Sequence, residues 1–266
     1  MAYLDLSRRD IDVLQKIKDP ESEPSATVYI DPTLPKDPHL RDPSVYEKTA
    51  RKERDVILEF QKLEAQQFGI PSSQPPSAAF INGFRSCVDK LSQIIEEHPD
   101  YASARNNRVQ ALRRLCGDSL LVGNTPQLRT ALLRELDETE RLDMALTVLS
   151  DLDQAISLLT PKGGNLGMSQ NASRTLAQAH TQRGAMYHIT SKLMGQGTLS
   201  VPPGRREERW TGLDFEEQAS LEFARGGLYG NEIAKGLAVG TNPTAKLCGQ
   251  MVREAMKKEY GQFPLE

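Results

Sequence analysis

The chain has little of what many folds and functions require. Aromatic residues make up only 6 % of its 266 residues, with a single tryptophan, too few for the cores of most β-sandwiches and barrels. Three cysteines, Cys87, Cys116 and Cys248, lie far apart with no CxxC pair. That excludes a disulfide scaffold and fits reduced intracellular thiols. Lys+Arg 33 against Asp+Glu 36 gives a net charge of −3, so there is no overall basic field for nucleic acid. No stretch approaches the ~20 apolar residues of a membrane span. The N-terminal MAYLDLSRRDIDVLQ carries acids early and has no apolar signal core, and the terminal FPLE is neither a prenylation box nor an organelle address. A cytoplasmic or nuclear location is expected, in which the Asn171-Ala172-Ser173 sequon goes unused.

Catalytic signatures are missing too. The four histidines (His39, His98, His180, His188) include no HExxH and no pairing with cysteine at ligand spacing, so no metal site is expected. GGLYGNEIAKGLAVG (226–240) lacks GxGxxG and a GKS/T ending, and reads as helix-end glycines with close helix packing. There is no GxSxG, SxxK or Cys-with-His pattern. Carboxylates alternate with Lys and Arg as on solvated helix faces. No catalytic residue and no cofactor is therefore assigned. RREER (205–209) beside Trp210 reads as a surface loop with its aromatic tucked onto the body, and Arg105, Arg108, Arg113 and Arg114 form a basic cluster without interleaved aromatics.

What the chain does have is helical periodicity. Residues 10–18 suit a short amphipathic helix, with Ile11, Leu14 and Ile17 apolar. Six of the sixteen prolines then fall between Pro20 and Pro43, which predicts a stiff, extended linker. Helical signal resumes at Tyr46, with Val56, Phe60, Leu63 and Gln67 on one stripe, and stops at Gly69-Ile70-Pro71; PSSQPPS is a loop. Ala79–His98 carries a broad apolar face, Pro99-Asp100 ends it, and Ala102–Cys116 follows to Gly117-Asp118.

That rhythm invites a test against the 34-residue tetratricopeptide period, whose second helix reads small-x3-large-x2-small-x4-Pro. Cys87, Leu91, Ile94 and Pro99 fit; Val148, Leu152 and Ala155 fit with Pro161 one place late; Ala219, Phe223 and Gly226 fit without the proline. Gly184 and Tyr187 supply the Gly-x-x-Tyr element of a first helix, whereas Lys62 stands where repeat one should have a small residue. The resulting expectation is all-α: three irregular helix-turn-helix repeats (about 46–99, 100–161 and 172–230), with insertions at 118–145 and 195–213. An extended proline-rich segment (1–45) precedes them. A C-terminal capping helix (242–260) follows, packed through Leu247, Met251 and Ala255. From Thr125-Pro126 the leucine stripe runs to Pro161, which reads most simply as one helix of about 34 residues, roughly 50 Å long, with a break near 137–140 as the alternative.

Three short elements carry a family resemblance. ARNNRVQALRRLCGD (104–118) resembles the A-x-NNR-x-QA-RRL-x-GD segment of the tetratricopeptide repeat protein 36 family. NPTAKLCGQMV (242–252) is similar to that family's NP-x-A-x-LC-x-x-M ending, and DIDVLQKIKDPES (10–22) to its D-x-x-VLQ-x-I-x-[ND]-P element. The insertions, Lys62 and Gly226 are departures, so the chain resembles a divergent member of that family. The resemblance implies a non-enzymatic protein-binding adaptor or scaffold, linked to tyrosine metabolism and to chaperone association. The alternatives are an enzyme, marked by a pocket with two or more perturbed ionisable groups, and a nucleic-acid binder, marked by salt-resistant binding.

In such repeats the first helices line the inner surface. Taking Gly184 as the reference places Gln178, Thr181, Gln182 and His188 inward. The matching frame gives Asn106, Asn107, Gln110 and Arg113 in repeat two, and Glu59, Phe60 and Leu63 in repeat one. Asn106, Asn107, Gln110, Arg113, Gln178, Thr181 and Gln182 are the candidate peptide-binding set, because amides offer a donor and an acceptor to an extended chain. A carboxylate clamp for chaperone tails is not expected, since only Asn107 matches it and Glu59, Leu63, Gln178 and Gln182 replace its other members. Phe60 and Leu63, read as an apolar floor, offer a docking place for helix 10–18.

Overall fold

The computed structural model describes residues 28–67, 76–124, 131–133, 136–162 and 167–260. Eight α-helices are found among them: α1 (Pro43–Gln67), α2 (Ala78–Glu97), α3 (Ala102–Cys116), α4 (Glu138–Leu159), α5 (Gln170–Leu193), α6 (Gly212–Leu228), α7 (Glu232–Thr241) and α8 (Pro243–Tyr260). Their starts are written locally. Ser77, Asp137, Ser169, Thr211 and Asn231 each stand one residue ahead of a helix and accept a hydrogen bond from its first turn; Thr211 and Asp214 form a reciprocal capping box. At the other end of α3, Gly117 takes φ 81°, a conformation costly for any residue with a Cβ.

Consecutive helices pack pairwise, α1 on α2, α3 on α4 and α5 on α6, and the first helices also touch one another, α1 on α3 and α3 on α5. This is the expected all-α stack of helix pairs. A Cβ built on Gly184 would come within 3.0–3.2 Å of the Phe223 ring, so the small residue is what lets α5 and α6 approach. In repeat one Lys62 is exposed, and the close approach comes from Gly83 of α2 against the Leu63 methyls. One continuous core runs through the stack, from Phe60, Phe84 and Leu91 through Leu115, Leu149 and Leu152 to Tyr187, Phe215 and Phe223.

Several expectations are corrected. The single long helix does not form: α4 begins at Glu138, the alternative break. Asp137 caps it at 2.8 Å, and Glu138 and Glu140 complement the positive helix end. Leu132, on the predicted stripe, is instead buried in a bend whose Leu133 N–H donates to the Leu115 carbonyl at the end of α3. The proposed start at Thr125-Pro126, helix 10–18 and most of PSSQPPS lie outside the described residues.

The described part of the proline-rich stretch is no free linker. β1 (Tyr29–Ile30) pairs in parallel with β3 (Gly167–Met168), and Ser169 Oγ donates to the Lys36 carbonyl at 2.9 Å. Asp37 is buried and accepts from the His39 and Leu40 amides. The insertions also meet each other: β2 (Val122–Gly123) pairs antiparallel with β4 (Thr198–Leu199), and Ser200 donates to Glu138. RREER is not simply a surface loop. Its Arg206–Arg209 segment is a 3-10 turn whose Glu207 is fully buried, accepting from Tyr187 Oη (2.6 Å) and ion-paired to Arg205, while Trp210 packs edge-on to Tyr187 and Phe215.

Asn242 caps α8 as its sequence suggests, but Leu247 and Met251 are 57 % and 61 % exposed and Ala255 is exposed, so these residues do not pack it. Lys246 fastens the helix by pairing with Glu216 of α6. Phe60 is no open floor either: Phe84 covers it edge-on, with centroids 5.1 Å apart, and a docked segment is not needed to keep it dry.

Candidate functional site

The first helices bound a groove of about 510 Å³ with walls from α1, α3 and the N-terminal half of α5, and Lys36 and Asp37 also line it. Its inward positions on α1 are Glu53, Ile57, Phe60, Gln61 and Glu64. Glu59 instead pairs with Lys90 of α2, and Leu63 faces Gly83, so of the three inward residues expected in repeat one only Phe60 lines the groove.

On the groove floor, Glu53 is 5 % exposed. Tyr101 Oη donates to its Oε2 at 2.5 Å and Asn107 Nδ2 to its Oε1 at 2.7 Å. Burial pushes the Glu53 carboxyl up; hydrogen bonds from Tyr101, Ser103 and Asn107 oppose this, and the nearby Asp37 carboxylate adds to the rise. Asp37 is raised by the same burial against two backbone amides. The Tyr101 phenol is pushed far above its ordinary value by burial and by the Glu53 charge. Tyr46 stands edge-on to Tyr101 and accepts from Asn171 Nδ2 at 3.0 Å. At the rim, Lys36 pairs with Glu47, while Arg54 of α1 and Arg174 of α5 are exposed.

The structure divides the seven candidate residues. Asn107, Gln110 and Gln178 line the groove, the two glutamines exposed. Asn106, Gln178, Gln182 and Arg113 form a continuous chain between α3 and α5. Asn106 Nδ2 donates to Gln178 Oε1 (3.1 Å), Gln182 Nε2 donates to the Asn106 Oδ1 and carbonyl (2.7 and 3.0 Å), and Arg113 Nη1 donates to Gln182 Oε1 (3.1 Å). Asn106 and Gln182 are buried, so their amides join the two helices. Thr181 lies apart, donating to the Ala177 carbonyl and accepting from Asn231 at the α6–α7 junction.

The basic cluster on α3 is taken up internally. Asp151 of α4, 1 % exposed, receives Arg105 and both Nε and Nη2 of Arg108; Arg113 pairs with Asp118 and Arg114 with Glu64. A second buried network centres on Glu222 of α6. Arg183 reaches it through two bonds of 2.9 Å and His180 Nδ1 lies 2.8 Å away, the imidazole stacked on Tyr229. Burial alone would raise the Glu222 carboxyl, but these partners hold it at about 2. No group of three His, Cys, Asp or Glu residues that could hold a metal occurs among the described residues. No helix among them is long and apolar enough to cross a membrane.

Sequence reasoning missed Glu53, Tyr101, Asp37 and Arg174. A signal existed for the first: Glu53 lies three residues before Val56 and seven before Phe60, a carboxylate on the buried stripe of α1.

Comparison with known proteins places the chain among named relatives. It is 35 % identical over 256 residues to L-tyrosine degradation gene cluster protein hmgX of Aspergillus fumigatus, covering 96 % of this chain and 93 % of the relative. It is 26 % identical over 185 residues to tetratricopeptide repeat protein 36 of Danio rerio (70 % and 67 %), and 25 % identical over 207 residues to that of Bos taurus (78 % of each). No family model and no solved structure matches it.

Proposed function

The chain belongs to the family of L-tyrosine degradation gene cluster protein hmgX and tetratricopeptide repeat protein 36, and from that premise we propose that it is a non-enzymatic scaffold that holds an extended segment of a partner protein in the α1–α3–α5 groove. By the name of the hmgX relative, the proposed setting is L-tyrosine degradation, and a cytoplasmic or nuclear place is proposed with it. The observation that carries the reading is the groove itself: about 510 Å³ on the first-helix face, lined by three successive first helices, with the exposed amides of Gln110 and Gln178 on its walls. Chaperone tails fit poorly. Asn107 is already bonded to Glu53, and a C-terminal carboxylate beside that buried acid would meet a like charge. Calorimetric titration with an acidic chaperone-tail peptide is expected to give no binding.

A catalytic reading has one observation in its favour, the raised carboxyls of Glu53 and Asp37 in one groove. Both Glu53 oxygens are, however, occupied by the protein's own donors, which supports a role in holding α1 to α3. Affinity capture from lysate decides between the readings. Gln110→Ala, at an exposed side chain of the groove wall, is expected to lose partners that the unaltered chain retains, without a change in melting temperature. Identical captured proteins from both would refute the groove as the binding surface.

A further inference from the structure

The chain enters the described body at Val28, and it does so at a second cleft. Val28 and Ile30 of the β1 segment, Arg174 and Ala177 of α5, and Tyr229 and Ile233 at the α6–α7 corner enclose about 490 Å³. β1 is fixed there by its pairing with β3 and by the Asp31 amide, which donates to the Met168 carbonyl at 2.8 Å. Beside the cleft the surface is unusually apolar: Ile233 is 75 % exposed, Leu228 43 % and Leu237 41 %. Water-facing side chains of that size, gathered where α6 meets α7, mark a surface that something covers.

The 27 residues before Val28 contain a segment of matching chemistry. Ile11, Leu14 and Ile17 recur at three-residue spacing, a stripe of roughly 9 Å along a helix, against the ~6 Å between Ile233 and Leu237 on α7. Asp10 and Asp12 flank the first residue of the stripe and Lys16 and Lys18 the last, while the cleft carries exposed Arg174 and Glu232 with Lys235 close in sequence. Residues 19–27, with Pro20 and Pro24, separate the two. Nine residues reach about 28 Å even when stiff and extended, longer than the ~15 Å of α7. So short a tether also gives a millimolar effective concentration, so even weak intrinsic affinity suffices.

We propose that residues 10–18 dock in cis as an amphipathic helix across the β1–α7 cleft, covering Ile233 and Leu237. Arg174 and Gln178 line both this cleft and the α1–α3–α5 groove. On the reading of the groove given above, which this consequence alone rests on, the docked helix narrows the groove's end and a bound segment competes with it.

Two measurements on the full chain, made without any ligand, test the docking independently of groove function. In a Cys248→Ser background, Leu14→Cys combined with Ile233→Cys or Leu237→Cys is expected to form an intramolecular disulfide under dilute oxidation, mapped by mass spectrometry. Leu14→Cys with Leu63→Cys is expected to form none. Separately, Leu14→Asp/Ile17→Asp is expected to speed amide exchange over residues 228–239 at least tenfold and to leave α3 unchanged. Unchanged exchange at 228–239 overturns the proposal whatever the cysteines do. Disulfides only between molecules would assign the face to a second copy, and trapping at Leu63 would assign the segment to repeat one; either result also overturns it.

Discussion

The buried Glu222 network makes a quantitative demand on stability. Glu222→Gln keeps the shape but removes the charge that faces Arg183, whose side chain is 6 % exposed and would be left with Asp153 alone. Breaking one partner of a buried pair costs about 3–5 kcal/mol, because the remaining charge is uncompensated. At about 2–4 °C per kcal/mol for a chain of this size, the melting temperature at pH 7 should fall by roughly 6–20 °C. The pH dependence carries the sharper test. The folded carboxyl sits at about 2 against an ordinary 4.5, so the fold favours the charged form. That depression stabilises by about 3 kcal/mol, present in full above the unfolded value and lost as pH falls toward 2. The glutamine has nothing to titrate. Urea unfolding of both proteins at pH 7 and pH 3.5 should therefore show the stability gap shrinking by about 1–1.5 kcal/mol at the lower pH. A gap below ~2 kcal/mol at pH 7, or one that is the same at both pH values, would refute the assignment of the charge as the stabilising element.

Gly184→Val should destabilise by at least ~2 kcal/mol, since its Cβ would press on the Phe223 ring, and Phe223→Leu in the same chain should recover part of the loss in thermal melts. Asp137→Ala removes the α4 cap and should cost about 1 kcal/mol by urea unfolding, with Asp137→Ser close to neutral; equal losses in both would mean that the cap is not what starts the helix. Burial pushes the thiols of Cys87 and Cys116 up to about 11 and about 12, whereas Cys248 is exposed, so a thiol-alkylating reagent at pH 8 should label one cysteine in the native chain and three in denaturant.

Much of the helix layout needed only local information. The apolar periodicity of 78–97, the cap at Ser77 and the stop at Gly117 are properties of neighbouring residues, and the repeat pattern put Gly184 and Phe223 each at a helix-contact position, though their contact with each other is tertiary. Part of the candidate site was legible in the same way, with Asn107, Gln110 and Gln178 on a groove wall. What tertiary structure alone decided involves partners far apart in sequence. Glu53 is tolerable on a buried stripe only because Tyr101 and Asn107, 48 and 54 residues on, supply its hydrogen bonds. Asn106 and Gln182 pair with each other across 76 residues, so two amides that sequence alone cannot tell from peptide-binding ones join helices instead. Tyr29–Ile30 finds Gly167–Met168, and the two insertions find each other as β2 and β4, through backbone bonds that no side-chain pattern encodes. Burial of Glu207, inside a run that composition reads as solvated, rests likewise on Tyr187 and Arg205 being brought to it by the fold.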